Sequence, residues 1–406
     1  MRNNIELLAP CGGMEQLVSA VKYGADAVYT GSSSFSLRAH ADNLTALELG
    51  RACDIVHKNG KRIYVAMNSI IKPEQMDKAY GEVKEIINAG ADAIIFSDPA
   101  VLEIVNSLGG GIDLHLSTQV STCNHLSAEF WQKNGVKRIV LGRECTLSDI
   151  KQIKAHNSDL DLEAFCHGAM CIAYSGRCLL SSYFTGRSAN CGDCTQTCRW
   201  QFNITEVKRP NDTLTIEQYG DATYILSSKD LCMIEHLPDM IESGISSFKI
   251  EGRMKTAFYV ATVVRAYRRA LDAVLEGKPV AKEDVEETLK VSHREYTTGF
   301  FYGNPLEQGQ QYGETAYTRD YEFTGVVLDY LPEKKQMLIE QRSKFVVGDT
   351  LEVLTPGNAI ISFVVENMYD EEGNRVEEAP HPKQRLCIDV DFAVQKNDFI
   401  RKATDK

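Results

Sequence analysis

Six of the twelve cysteines in this 406-residue chain fall within 33 residues: Cys166, Cys171, Cys178, Cys191, Cys194 and Cys198. Cys232 follows after a polar stretch. The run Cys191-x-x-Cys194-x-x-x-Cys198 has the tight spacing that brings thiolates within reach of one metal. Buried free thiols account for most isolated cysteines. A cluster this dense in a reducing compartment points instead to metal or redox chemistry. Four thiolates close a tetrahedral zinc site, and four also hold an iron–sulfur cluster. Spacing alone leaves both open. A cysteine protease needs one activated thiol beside an oriented base, not six neighbours, and the sequence has no His-Glu-x-x-His for a zinc protease.

A second set of polar residues falls at the ends of the predicted strands: Asn68, Gln119, Arg143 with Glu144, Glu163, His167, and Lys249 with Glu251 and Arg253. Glu163 and His167 occupy alternate positions of one strand, so period two predicts that they face the same side. As cluster neighbours they would form a catalytic pair relaying protons, for which imidazole suits neutral pH. Arg143, Arg187 and Arg253 can clamp carboxylates bidentately. Each residue also has a structural account, as a buried ion pair or a satisfied hydrogen bonder. The stretch from Lys249 to Arg269 is basic in an acidic chain, with Glu251 as its only acid among six cations up to Arg269. Arg265, Arg268 and Arg269 are therefore candidate RNA phosphate contacts, the alternative being a solvated helix face.

The elements that must position these groups repeat as strand then helix. Short apolar runs suited to buried parallel strands occur at 6–10, 27–31, 62–68, 93–97, 113–118, 138–142, 162–167 and 247–251, with amphipathic segments such as 44–58, 73–88 and 147–156 between them. Eight such units predict an α/β chain with a (β/α)8 barrel over residues 1–277, its active groups at the C-terminal strand ends. No Gly-x-Gly-x-x-Gly follows the first strand, which argues against a doubly wound sheet. About 80 residues separate the seventh and eighth strands, so a Cys-rich insertion is expected over about 169–223. A long helix over 256–276 should close the barrel. Residues 278–320 read as a connecting segment, and alternation with period two from Tyr321 onward predicts a small β-barrel domain over 321–406.

Composition sets the outer bounds. Hydrophobic residues make up 43% and charged residues 25%, which permits a large core. No apolar run spans a bilayer and the first residues lack a signal-peptide core, so a cytoplasmic protein without membrane contact is expected. The net charge of −12 opposes non-specific coating of nucleic acid, but not a local basic site.

The segment Glu163-Ala-Phe-Cys-His167-Gly-Ala-Met-Cys171-Ile-Ala-Tyr-Ser-Gly-Arg-Cys178-Leu-Leu-Ser resembles the signature of the collagenase-like peptidases, peptidase family U-32. The likeness continues through Gly186-Arg-Ser-Ala-Asn190, Ser227-Ser-Lys-Asp-Leu-Cys232 and Lys249-Ile-Glu-Gly-Arg253. It covers nearly all of residues 5–303. Despite the family's name, the resemblance implies oxygen-independent hydroxylation with a 4Fe–4S cluster. Cys194-Thr-Gln-Thr-Cys198-Arg-Trp200 and the added β domain are most similar to the branch that acts on tRNA, converting a wobble uridine to 5-hydroxyuridine with prephenate as hydroxyl donor. Carried over by position, the cluster ligands would be Cys171, Cys178, Cys194 and Cys232. Cys191 stands where the family commonly lacks cysteine and Thr197 where Pro is frequent, which leaves Cys191 or Cys198 as alternatives for the third ligand. The expected partners are tRNA and prephenate or a similar small dicarboxylate, held by Arg143, Arg187, Lys249, Glu251, Arg253, Asn68 and Gln119. A peptidase of the same family and a zinc-stabilised, non-catalytic RNA-binding protein are the competing expectations.

Overall fold

A computed structural model describes residues 5–37, 43–171, 177–200, 228–309, 317–357 and 360–404. The polar stretch 203–222 expected as a surface loop lies outside the described residues. Eight parallel strands close on themselves: β1 (Glu6–Pro10), β2 (Ala27–Gly31), β3 (Arg62–Met67), β4 (Ala93–Phe96), β5 (Asp113–Leu116), β6 (Arg138–Val140), β7 (Asp161–Ala169) and, beyond the short β8 (Asp230–Cys232), β9 (Ser247–Ile250). Each pairs with the next, and β9 completes the ring by pairing with both β1 and β7. The strands are buried along almost their whole length because the barrel interior meets one face and helices cover the other.

The outer layer comprises α1 (Met14–Lys22), α2 (Ala46–Lys58), α3 (Met76–Asn88), α4 (Pro99–Ser107), α5 (His125–Lys133), α6 (Leu147–His156), α8 (Leu237–Glu242) and α9 (Ala257–Leu275), while the short α7 (Leu180–Thr185) belongs to the Cys-rich insertion. Their starts follow from local chemistry. Thr45 and Thr146 close capping boxes with Glu48 and Asp149. Asp98 and Asn124 accept from first-turn amides, and Pro99 sits at the first helical position of α4.

The floor of the barrel carries charge. Glu6 accepts from Tyr64 and Ser247 and pairs with Arg138, which also reaches Glu163 at 3.4 Å. Burial alone would raise the Glu6 carboxyl, but the Arg138 charge and these hydrogen bonds outweigh it and hold the group below its ordinary range.

Beyond the barrel, α10 (Lys282–Thr288) and β10 (Tyr296–Thr297) occupy the connecting segment. The last strands form one antiparallel sheet in the order 360–364, 350–354, 399–403, 321–331, 336–341, 385–389, 368–369, wrapped on its own core of Val327, Ile339, Leu351, Leu386 and Ile400. This β domain docks on α1, α9 and α10. Phe258 of α9 stacks on Phe323, and both rings meet Phe399. The hydroxyl of Tyr23 donates to Leu354 O at 2.7 Å, and Arg401 is fully buried between Glu287 and Glu352.

That docking changes the reading of the basic strip. Arg265 is only 3% exposed, its guanidinium donating to the carbonyls of Thr355 and Gly357. Arg268 pairs with Asp26 and Asp272, and Arg269 with Asp284. Of the strip expected to meet RNA phosphates, Arg265 lies in the seam between barrel and β domain, while Arg268 and Arg269 are held by acids before β2, on α9 and on α10.

Candidate active site

Six of the seven expected substrate contacts converge at the mouth of the barrel. Asn68 beyond β3, Gln119 beyond β5, Arg143 beyond β6, Lys249 on β9, and Glu251 with Arg253 just after it line one cavity of about 70 Å³. Asn68 donates through Nδ2 to Gln119 Oε1 at 3.0 Å and to Ser117 Oγ at 3.3 Å, which fixes the polar wall. The Arg143 guanidinium lies 4.1 Å from the centroid of Phe165, and the Lys249 ammonium 4.3 Å from that of Tyr29. Arg253 donates to Ser36 Oγ, and a side chain at Gly31 would lie 1.9 Å from its guanidinium. Glycine at that place is what lets Arg253 lie across β2. Arg187, the seventh, is exposed and paired with Asp193 instead.

A larger cavity of about 360 Å³ opens beside the first. Cys171, Cys194 and Cys198 line it, with Lys255, Met254 and Tyr317, and the two cavities share Leu37, Arg143 and Glu251. Cys171 follows β7 directly, while Cys194 and Cys198 come from the insertion. The other expected ligands are placed differently. Cys178 lies in a turn held by Asn190, whose side chain accepts from the Cys178 amide and donates to its carbonyl. Cys232 ends β8, antiparallel to β7 opposite His167, with its sulfur 3.8 Å from the Tyr267 hydroxyl. Burial pushes the Cys232 thiol up, partly offset by hydrogen bonds. Among the described residues no three His, Cys, Asp or Glu side chains are gathered to hold a metal ion. The donors suit an iron–sulfur cluster in kind, being free thiols, and three of them, Cys171, Cys194 and Cys198, line one cavity at the barrel mouth.

Glu163 and His167 do not face the same side. A register shift between Phe165 and His167 breaks the alternation of β7. Glu163 points into the barrel and bonds Lys249 at 2.8 Å, whereas His167 points outward among Tyr259, Tyr267 and Tyr296. Its two ring nitrogens lie 3.3 Å from the Tyr267 hydroxyl and 3.5 Å from that of Tyr296. Burial lowers the imidazole to about 3, so it is neutral at physiological pH. Gly168, at φ 106, permits the tight exit: a side chain there would meet Glu251 O at 2.5 Å.

Lys255, Ser117 and Tyr317 also belong to the two cavities, although their residue types did not single them out. Lys255 was within reach of sequence reasoning, two places beyond Arg253 in the same loop. Tyr267 and Tyr296, which enclose His167, carried no local signal.

Sequence comparison agrees with this architecture. The peptidase family U32 pattern matches residues 12–311, and the pattern of the peptidase family U32 C-terminal domain matches residues 319–401. The chain belongs to peptidase family U32. Within U32, it is 40% identical to tRNA hydroxylation protein P1 of Bacillus subtilis over 402 residues, covering 98% of this chain and 94% of that protein. It is 32% identical to a collagenase of Porphyromonas gingivalis, covering 98% and 97% of the two chains. It is 35% identical to the 23S rRNA 5-hydroxycytidine C2501 synthase of Escherichia coli, covering 68% of this chain and 40% of that one. No helix among the described residues is long and apolar enough to cross a membrane.

Proposed function

We propose that this U32 protein is a tRNA hydroxylase that converts a wobble uridine to 5-hydroxyuridine without molecular oxygen, taking the hydroxyl group from prephenate or a similar small dicarboxylate. The supporting observation is the adjacency of two cavities that share Arg143: one is cationic and polar, the other lined by thiols. Relatives named for tRNA hydroxylation and for rRNA hydroxycytidine synthesis match 98% and 68% of this chain. An iron–sulfur cluster on Cys171, Cys178, Cys194 and Cys232, with Cys191 or Cys198 as the alternative third ligand, would supply one-electron chemistry at an iron site. This ligand set requires the Cys178 turn and β8 to present their thiols to the larger cavity.

The chain's own residues do the positioning. Arg143 and Arg253 pair with carboxylates of the donor, since planar guanidinium matches carboxylate geometry. Lys249 is held by Glu163 and adds charge from below, while Asn68 and Gln119 orient hydroxyl or carbonyl groups. The target base must leave the anticodon stack to enter, which a single-stranded loop permits at a cost of about a few kcal/mol. The peptidase reading draws no support from His167, whose ring contacts are tyrosines rather than a thiol. The test is to delete the gene and measure wobble-uridine nucleosides in bulk tRNA by mass spectrometry. Loss of 5-hydroxyuridine, restored by the intact gene and not by the Arg143→Ala form, supports the assignment. An unchanged nucleoside profile refutes it.

A further inference from the structure

Outside both cavities, the Cys-rich insertion exposes an aromatic edge that the chemistry described so far does not use. Tyr183 is 83% exposed, and Trp200 and Phe184 are each 45% exposed. The three rings form a chain. Tyr183 and Phe184 meet edge to face with centroids 5.0 Å apart, and Phe184 and Trp200 follow at 6.3 Å. Leu179 extends the patch. Exposed aromatics on a soluble surface mark contact with something, and the place of these decides with what. Trp200 lies two residues beyond Cys198, which lines the larger cavity. Tyr183 and Phe184 belong to α7, and Ser181 of the same helix accepts from the Thr195 amide at 3.1 Å, one residue beyond the cavity-lining Cys194. The aromatic edge and the cavity wall are therefore one unit.

The sequence from 177 to 200 carries Arg177, Arg187 and Arg199 against Asp193 alone, in a chain whose net charge is −12. An exposed aromatic edge in a locally basic segment, bordering a recessed site, has the chemistry of a single-stranded nucleic-acid platform: rings stack on bases whatever their identity, and cations meet the phosphates. We infer that Tyr183 and Trp200, spaced by Phe184, stack the unpaired bases flanking the nucleotide that enters the cavity. This rests on the tRNA reading and adds to it a recognition surface distinct from the reacting centre.

The full-length protein tests this with a synthetic anticodon stem-loop RNA. The chain has two tryptophans, Trp131 and Trp200, so the Trp131→Phe form reports from Trp200 alone. Addition of the stem-loop should quench that fluorescence, and a fully paired RNA duplex should not. Tyr183→Ala/Trp200→Ala should bind the stem-loop at least roughly tenfold more weakly, since base–aromatic stacks are worth about 1–3 kcal/mol each. Tyr183→Phe/Trp200→Phe should restore most of the affinity while melting at the same temperature. Unchanged affinity in the alanine form, with normal binding by the parent, overturns the platform and leaves the tRNA reading standing; the edge would then serve a protein partner. Absence of stem-loop binding by the parent overturns both.

Discussion

Arg143 borders both cavities, and its guanidinium is shaped by what lies beneath it. Phe165 supports its plane, and among the described residues its Nε has no hydrogen-bond partner. A buried donor left in this state costs stability unless a ligand satisfies it. Arg143→Lys keeps the charge but loses the plane and the second donor. We expect the KM for the hydroxyl donor to rise roughly tenfold to a hundredfold, the range of a lost charged hydrogen bond, with tRNA affinity unchanged. An equal loss in both would place Arg143 in RNA binding instead. His167 makes a different prediction. Its folded-state value of about 3 lies below its ordinary 6.5, so between those values the unfolded chain binds a proton that the folded chain refuses. Stability is therefore fully present above about pH 6.5 and falls as the pH drops, by about 1.4 kcal/mol per unit from this group. Denaturant unfolding at pH 7 and pH 5.5 should show that the His167→Gln protein loses less stability on acidification than the parent. His115, also buried and lowered, adds to the slope of both proteins equally. Equal losses in parent and variant would show that His167 is not buried as a neutral ring.

At the scale of elements, the barrel was legible because its signals are local and repeated. The strand at 27–31 and the helix at 147–156 fall on their predicted bounds, the strand as a short apolar run and the helix as an amphipathic segment opened by Thr146. The site was legible to the extent that it depends on strand ends, which the barrel rule alone places at one mouth. Three features were not. The β7 bulge reverses His167 with no glycine or proline before it to announce the shift. Three residues, Asp230–Cys232, pair with β7, too short a run to register as a strand, and Asp230 is held there by Arg294 from far along the chain. The basic run on α9 reads as an open surface because two of the acids that pair with it, Asp26 and Asp284, are remote in sequence. From this we predict that Arg268→Ala/Arg269→Ala leaves the salt dependence of tRNA binding unchanged, since no phosphate contact is lost. The partly exposed pairs limit the stability loss to about 1 kcal/mol. A shallower salt slope, measured by titration at several ionic strengths, would return these arginines to the RNA interface.

For the whole molecule, the β domain is not a loosely tethered appendage. Val326, Leu354 and Phe399 belong to the same continuous core as the barrel helices. Arg401 joins the two parts from the inside: its side chain is fully buried, donating to Glu287 on α10 and to Glu352 on its own sheet. Burial would by itself favour a neutral Glu287, yet the bonds and charge of Arg401 hold its carboxyl below the ordinary range. Removing the arginine leaves that buried carboxylate without its hydrogen-bonding partner, facing the partly exposed Lys290 ammonium at 3.4 Å. Arg401→Met should therefore destabilise the chain by roughly 3–5 kcal/mol, the cost of breaking a buried ion pair from one side. The barrel and the β domain should then no longer melt in a single transition. Replacing both partners tests the cause. An apolar pair of similar volume satisfies the seam without charge, so Arg401→Met/Glu287→Leu should recover most of the loss in scanning calorimetry. A double variant as unstable as the single one would assign the cost to lost packing around the arginine stem rather than to the stranded carboxylate.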